Sequence, residues 1–234
     1  MLLEAADYAT LMRTFRWDVP ERFNMGVAVC DAWTRREPER PAIIEWTATG
    51  LVNHTYEDLR RASNRLANLL VRNGIRPGDR VAILLPQSPE TVIAHIAIYK
   101  IGAIALPLAA LFGFDALAYR LIDSGTAAVL TDDAGVRKLD GIQPRPPELR
   151  LVLSLDGADG PVVGWPEAAC RESDAFTPVS TGADDPALMI YTSGTTGQAK
   201  GALHGHRVLL GHVPGVQFPH EFLPQEGDRM WTPA

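Results

Sequence analysis

The chain of 234 residues has little cysteine and no apolar run that could span a membrane without interruption. Its two cysteines, Cys30 and Cys170, form no motif, which favours a reduced thiol pair in the cytoplasm. The most apolar window, residues 91–112, is interrupted by His95, Lys100, Gly102 and Pro107, so it predicts no membrane span. The N-terminus lacks a basic region followed by an apolar one, and it therefore predicts no signal peptide.

Lysine is also scarce, and positive charge is not concentrated anywhere. Of the 22 basic residues, only Lys100, Lys138 and Lys200 are lysines, and the 28 acidic residues bring the net charge to −6. Without a basic stripe or tail, nucleic acids and anionic membranes are poor partners. Apolar residues make up 46% and charged residues 21% of the chain, which excludes global disorder and indicates a globular protein.

Apolar segments of strand length recur along the middle of the chain. They begin near residues 81, 103, 127 and 151, and helical patterns separate the first three. Continuous apolar strands that alternate with amphipathic helices are typical of βαβ units, in which helices cover both faces of a parallel sheet. The sequence therefore predicts an α/β fold, a parallel sheet flanked by helices.

Two helices in this region have clear start signals. Thr55 with Asp58 three residues later resembles a capping box, and it follows a predicted hairpin formed by residues 42–46 and 52–55. Ser88 followed by Pro89 opens the second helix, which runs to about Lys100. A cation at a helix C-terminus is sufficient to explain Lys100.

Two loop segments suggest how the chain is divided. Residues 143–147 are rich in proline, and residues 173–186 are polar with glycine and proline. We expect an N-terminal segment of residues 1–40, an α/β subdomain of residues 41–175, and a phosphate-loop hairpin that starts an incomplete second subdomain at residues 176–234.

Residues 192–201 carry the chemistry. Three glycines, four hydroxyl residues and one lysine lie in ten positions that follow an apolar strand, residues 187–191. Glycine lets backbone N–H groups turn toward an anion, hydroxyls donate hydrogen bonds, and an ammonium adds a point charge, so this set suits a polyphosphate. The spacing fits neither a Walker A loop nor a dinucleotide fingerprint. The alternative is a solvated turn rich in glycine and threonine that binds no ligand, and it explains the composition less well.

The segment Tyr-Thr-Ser-Gly-Thr-Thr-Gly-x-x-Lys-Gly at 191–201 closely resembles the phosphate-binding signature of the adenylate-forming (AMP-binding) superfamily, which includes acyl-CoA synthetases, peptide-synthetase adenylation domains and luciferases. Residues 54–59 resemble its early Thr-Tyr-x-x-Leu element, and residues 99–108 resemble its Lys-x-Gly-Ala-x-x-x-Pro element. Ala199 departs from the pattern, which usually has proline there. Residues 23–25, Trp33, residues 41–43 and residues 227–234 are most similar to short- and medium-chain acyl-CoA synthetases.

The resemblance implies a two-step reaction. A carboxylate attacks the α-phosphate of Mg-ATP to give acyl-adenylate and pyrophosphate, and the CoA thiol then displaces AMP. The residues implied to bind the ATP phosphates are Thr192, Ser193, Gly194, Thr195, Thr196, Gly197 and Lys200, with Lys200 offsetting the charge of the leaving pyrophosphate. The implied partners are ATP, Mg²⁺, CoA and a carboxylic acid used in fatty-acid metabolism, with a homo-oligomer as one option and no metal ligand on this chain.

The three motifs that resemble those of the family, the phosphate loop and the two that precede it, all lie before residue 205. The resemblance implies that the segments for adenine, ribose and the acyl group, and a C-terminal catalytic lysine, lie outside these residues. We therefore expect an N-terminal portion of a ligase that is inactive alone. Two alternatives stay open: an adenylation domain that loads a carrier-protein thiol, and a non-catalytic phosphate-binding module.

Four of the six histidines crowd one region: His204, His206, His212 and His220. A zinc site is one alternative for such a group, but no cysteine or acidic ligand accompanies these histidines at a recognised spacing. We favour incidental or substrate-side histidines, with His204 flanking the phosphate loop.

Overall fold

A computed structural model describes residues 5–192 and 197–231 as an open, mostly parallel sheet with helices on both faces. Its strands are β1 (Pro41–Thr47), β2 (Gly50–Thr55), β3 (Arg80–Leu84), β4 (Ile104–Pro107), β5 (Thr126–Thr131), β6 (Leu151–Ser154), β7 (Val163–Gly164), β8 (Pro186–Thr192) and β9 (Lys200–Gly205). Its α-helices are α1 (Tyr8–Thr14), α2 (Ala32–Thr34), α3 (Tyr56–Arg72), α4 (Pro89–Lys100), α5 (Phe114–Asp123), α6 (Asp133–Asp140), α7 (Trp165–Cys170) and α8 (Val208–Gln217). A π-helical turn (Val27–Asp31) precedes α2, and a 3₁₀ turn (Phe218–His220) follows α8.

The predicted α/β architecture is confirmed. The strands of the main sheet lie in the order β7-β6-β5-β3-β4-β8-β9, and β3 pairs in parallel with both β4 and β5. Alternate residues of a strand point to opposite faces. Val81 and Ile83 accordingly join the core that includes α3 and α4, whereas Ala82 and Leu84 join the core that includes α5. Both faces of the sheet are covered, which explains the continuous apolar runs of the central strands.

The local signals at the hairpin and the helix starts are also confirmed. Strands β1 and β2 pair in antiparallel fashion. The Thr55 hydroxyl accepts a hydrogen bond from the Asp58 N–H at 3.1 Å, while the Asp58 carboxylate accepts one from the Thr55 N–H at 2.9 Å. Ser88 caps α4 in the predicted way, with Pro89 at its first position. These contacts join residues three positions apart, so the sequence alone can specify them.

Among the described residues, five helices lie where the sequence analysis predicted none: α1, α2, α6, α7 and α8. Helix α6 follows β5 and is capped by Asp132, whose carboxylate accepts a hydrogen bond from the Gly135 N–H at 2.8 Å. Helix α7 is a short segment after β7 that buries Trp165. Four of the five, α1, α2, α6 and α7, are eight residues or shorter and contain too few turns for a hydrophobic periodicity to be recognised. Helix α8 is longer but contains Pro214, a residue that argues against a helix in a sequence. The segments predicted as loops at residues 143–147 and 173–186 contain no helix or named strand, except that Pro186 already begins β8.

A cation at a helix C-terminus does not suffice to explain Lys100, so that interpretation is wrong. Lys100 does end α4, but its side chain is fully buried. Its ammonium contacts the Asp31 carboxylate at 2.7 Å, the Asn64 side-chain oxygen at 2.8 Å and the Ser63 hydroxyl at 3.1 Å. A buried charge requires such partners, so this lysine ties α4 to α3 and to the π-helical turn.

The N-terminal segment is attached to the loop before β8. The Phe23 N–H donates to the Thr181 carbonyl at 3.0 Å, and the Thr181 hydroxyl donates back to the Phe23 carbonyl at 2.8 Å. The Asn24 amide reaches the Tyr99 carbonyl at 2.7 Å. The division at residues 40 and 175 stays a prediction. Among the residues described, no helix combines the length and apolar character needed to cross a bilayer.

Candidate phosphate-binding site

The candidate site is the hairpin formed by β8 and β9. The two strands are antiparallel, and Thr192 pairs with Lys200 at the end of the ladder. Strand β8 runs parallel to β4, with Leu188 opposite Ala105. The connecting loop therefore leaves the sheet at the carboxyl ends of the parallel strands, which is the edge where open α/β sheets bind ligands.

The structure describes three of the seven predicted phosphate-binding residues. Thr192 and Lys200 are exposed and face each other across the hairpin, and Gly197 is exposed in the left-handed region at φ 94°. Side chains with a Cβ adopt that conformation rarely, which explains a glycine at this turn. The remaining four, Ser193, Gly194, Thr195 and Thr196, lie outside the described residues. The hairpin therefore holds a hydroxyl and an ammonium side by side at the entrance to the loop.

Helix α5 contacts both arms of the hairpin, which the sequence analysis missed. The Tyr119 hydroxyl donates to the Ala199 carbonyl at 3.0 Å, and the Tyr191 hydroxyl donates to the Asp123 carboxylate at 2.5 Å. Burial and this hydrogen bond raise the pKa of Tyr191, so its hydroxyl keeps its proton and remains a donor. No local pattern joins α5 to the hairpin, because about 70 to 80 residues separate the partners.

The crowded histidines have different surroundings. His212 and His220 are exposed, and His204 lies on β9 opposite Leu188. His206 is fully buried, and its Nδ1 accepts a hydrogen bond from the Met25 N–H at 3.1 Å. Burial lowers the pKa of His206 to about 4, an effect that Asp185 partly opposes. His206 thus holds the N-terminal segment against the end of β9 as a neutral imidazole.

Within the described ranges, no group of three or more His, Cys, Asp or Glu side chains is placed to hold a metal ion. A cavity of about 570 Å³ lies between the N-terminal segment and the loop before β8, with Arg22, Asp31, Arg60 and Phe176 among its walls. Among the described residues, none of those that line it belongs to β8 or β9.

A family model described as AMP-binding enzyme matches residues 30–234. Acetyl-coenzyme A synthetase of Desulfatibacillum aliphaticivorans is 30% identical over 239 residues, covering 94% of this chain and 36% of that protein. Human acetyl-coenzyme A synthetase 2-like, mitochondrial, is 32% identical, covering 86% of this chain and 33% of that protein. The chain thus spans about a third of the length of these relatives.

Solved structures give the same picture of the fold. The crystal structure of Brucella canis acyl-CoA synthetase superimposes with a TM-score of 0.77 at 28% identity, covering 90% of this chain and 38% of that one. Apo MatB from Rhodopseudomonas palustris gives a TM-score of 0.70 at 30% identity, covering 82% of this chain and 36% of that one. The predicted resemblance is confirmed at the level of family and fold.

Proposed function

Because the chain belongs to the AMP-binding enzyme family, we propose that it is part of an ATP-dependent acid–CoA ligase. The reaction joins a carboxylate to the α-phosphate of Mg-ATP, releases pyrophosphate, and then transfers the acyl group to CoA. The observation that carries the proposal is the hairpin at the carboxyl edge of the sheet, where Thr192 and Lys200 flank a loop of glycines and hydroxyl residues.

The chain's own part in this reaction is to hold the β- and γ-phosphates. Hydroxyls and backbone N–H groups at residues 192–197 donate hydrogen bonds to the phosphate oxygens. When the carboxylate oxygen bonds to the α-phosphorus, the bond from that phosphorus to the bridging oxygen breaks, and negative charge builds on the pyrophosphate. The Lys200 ammonium offsets that charge, so it stabilises the transition state more than the ground state.

The substrates follow from the same proposal. ATP enters with Mg²⁺ as its complex, so the metal is part of the substrate and needs no ligand set of its own on this chain. CoA is the acceptor of the acyl group. The acid is a short-chain carboxylate such as acetate, supported by the acetyl-coenzyme A synthetases among the relatives. A cytoplasmic location, a homo-oligomeric state and a place in fatty-acid metabolism stay predictions.

Binding to the chain itself tests the phosphate site. We would titrate the chain with Mg-ATP and with tripolyphosphate by isothermal titration calorimetry, and repeat both titrations with Lys200→Ala. A hydrogen bond to a charged group contributes about 1.5–3 kcal/mol, so Lys200→Ala should weaken binding roughly 10- to 100-fold. Arg13→Ala is the matched control, because it removes an exposed cation on α1 and should leave binding unchanged. A wild-type chain that binds neither ligand contradicts the proposal.

The reaction is tested on the product of the complete reading frame that contains these residues. Acetate-dependent exchange of labelled pyrophosphate into ATP is the expected activity. Lys200→Ala should slow acyl-adenylate formation far more than thioester formation from preformed acyl-adenylate, because pyrophosphate leaves only in the first step. Equal slowing of both steps would show that Lys200 does not act on the leaving pyrophosphate.

A further inference from the structure

We infer that Tyr119 and Asp123 are positioning residues for the phosphate loop. Both lie on helix α5, and together they attach both arms of the β8–β9 hairpin to that helix. The inference rests on the proposed function, since it assumes that the loop binds phosphate. It assigns a role to a helix that carries none of the signature motif.

The first attachment is on the arm that leads into Lys200. The Tyr119 hydroxyl donates to the carbonyl oxygen of Ala199 at 3.0 Å, one residue before the lysine. The acceptor is a backbone carbonyl, which every residue supplies, so the contact is independent of the side chain at position 199. It fixes the backbone from which the Lys200 side chain projects.

The second attachment is on the arm that leads into Thr192. The Tyr191 hydroxyl donates to the Asp123 carboxylate at 2.5 Å, one residue before the threonine. A hydrogen bond to an ionised carboxylate is stronger than one between neutral groups. Gly201 lies opposite Tyr191 across the hairpin, and a Cβ added there would come within 3.2 Å of the Tyr191 ring. The glycine therefore leaves the ring free to reach α5.

The two attachments also contact each other. The rings of Tyr119 and Tyr191 meet edge to face, with centroids 6.2 Å apart at an angle of 81°. The Arg120 guanidinium lies 5.6 Å from the centre of the Tyr191 ring and 4.3 Å from that of Phe112. The helix thus holds both ends of the loop in one packed unit.

The residues of α5 that pack in the core are different from those that contact the hairpin. Leu117 and Leu121 anchor the helix and are almost completely buried in the core. Tyr119 and Asp123 point instead toward the hairpin, and their removal leaves that apolar anchor in place. The contacts on α5 hold the backbone beside Thr192 and Lys200 in place before an anion binds, so less conformational entropy is lost on binding and the contacts should favour phosphate binding more than folding.

The experiment measures tripolyphosphate binding to the chain by isothermal titration calorimetry, together with the thermal unfolding midpoint. Tyr119→Phe removes one neutral hydrogen bond and should weaken binding about fivefold. Asp123→Asn weakens the hydrogen bond to Tyr191 and should weaken tripolyphosphate binding about tenfold. Both variants should unfold within a few degrees of the wild type. The matched control is Asp115→Asn, an exposed acid on the same helix that should leave binding unchanged.

A double-mutant cycle identifies the contact itself. Tyr191→Phe loses the hydrogen bond completely, so it should weaken binding at least as much as Asp123→Asn, which keeps an amide oxygen as a weaker acceptor. The double variant should bind no more weakly than Tyr191→Phe, since the hydrogen bond is already absent there. If Lys200→Ala weakens binding while Tyr119→Phe and Asp123→Asn bind like the wild type, the inference is wrong and the proposed function stands. If binding falls only in step with the unfolding midpoint, the two residues are structural and the inference is overturned. If the wild-type chain does not bind tripolyphosphate, both proposals fail.

Discussion

The buried lysine at the end of α4 offers the sharpest test of how this fold is stabilised. Lys100→Met keeps most of the volume of the side-chain stem and removes the ammonium. The change leaves three groups without their donor: the Asp31 carboxylate, the Asn64 side-chain oxygen and the Ser63 hydroxyl. Most of the lost stability comes from the Asp31 carboxylate, because a charge without its partner is poorly solvated in the protein interior.

The size of the effect follows from the burial of the two partners. Removing one partner of a buried ion pair costs about 3–5 kcal/mol. The Lys100 side chain is fully buried, but 13% of the Asp31 side chain is exposed, and Asp31 lines the cavity beside the N-terminal segment. Water can therefore reach the carboxylate, which places the cost near the lower end, about 3 kcal/mol. For a chain of this size, that lowers the unfolding midpoint by roughly 6–12 °C.

Urea unfolding and thermal unfolding of the two proteins measure this difference. Lys138→Met is the matched control, since Lys138 contacts only the carbonyls of Ala110 and Phe112 among the groups described and should cost about 1 kcal/mol. The double variant Lys100→Met, Asp31→Leu should recover part of the loss, because it removes both charges. The reasoning is refuted if Lys100→Met is within about 1 kcal/mol of the wild type, or if the two lysine variants lose equal stability.

Two further predictions concern stability. His206 has a pKa of about 4 in the folded chain against 6.5 when exposed, so its contribution is complete above pH 6.5 and is lost as the pH falls toward 4, by about 3 kcal/mol in all. His206→Gln should make that part of the stability–pH curve less steep, and the slope that remains is due to His95, whose pKa burial also lowers to about 4. The exposed His212→Gln should leave the curve as in the wild type, and an unchanged slope in His206→Gln contradicts the assignment. Thr55→Ala should destabilise the chain by about 1 kcal/mol, because it removes the capping box of α3. Thr55→Ser keeps the hydroxyl and should retain most of that stability. Equal unfolding midpoints in urea for Thr55→Ala and the wild type would show that the cap contributes nothing.

The sequence alone determined the features that depend on neighbouring residues. The capping box at Thr55 and Asp58, the start of α4 at Ser88 and the strand β5 were predictable because their partners lie within a few positions or within one strand. The same holds for the composition of the phosphate loop, in which the required groups are consecutive. The two-residue strand β7 and the short helices α6 and α7 escaped prediction because they are too short to show a periodicity.

Only the tertiary structure decided which distant residues meet. Lys100 and Asp31 are 69 positions apart, Tyr119 and Ala199 are 80, and His206 and Met25 are 181. These contacts depend on the strand order, which places β8 beside β4, and on the direction in which each helix crosses the sheet. A single sequence specifies the apolar face of a helix but leaves its neighbours open, because many packings bury the same area. The chemistry of the loop could thus be read from consecutive residues, whereas the helix that holds it could be found only in the folded chain.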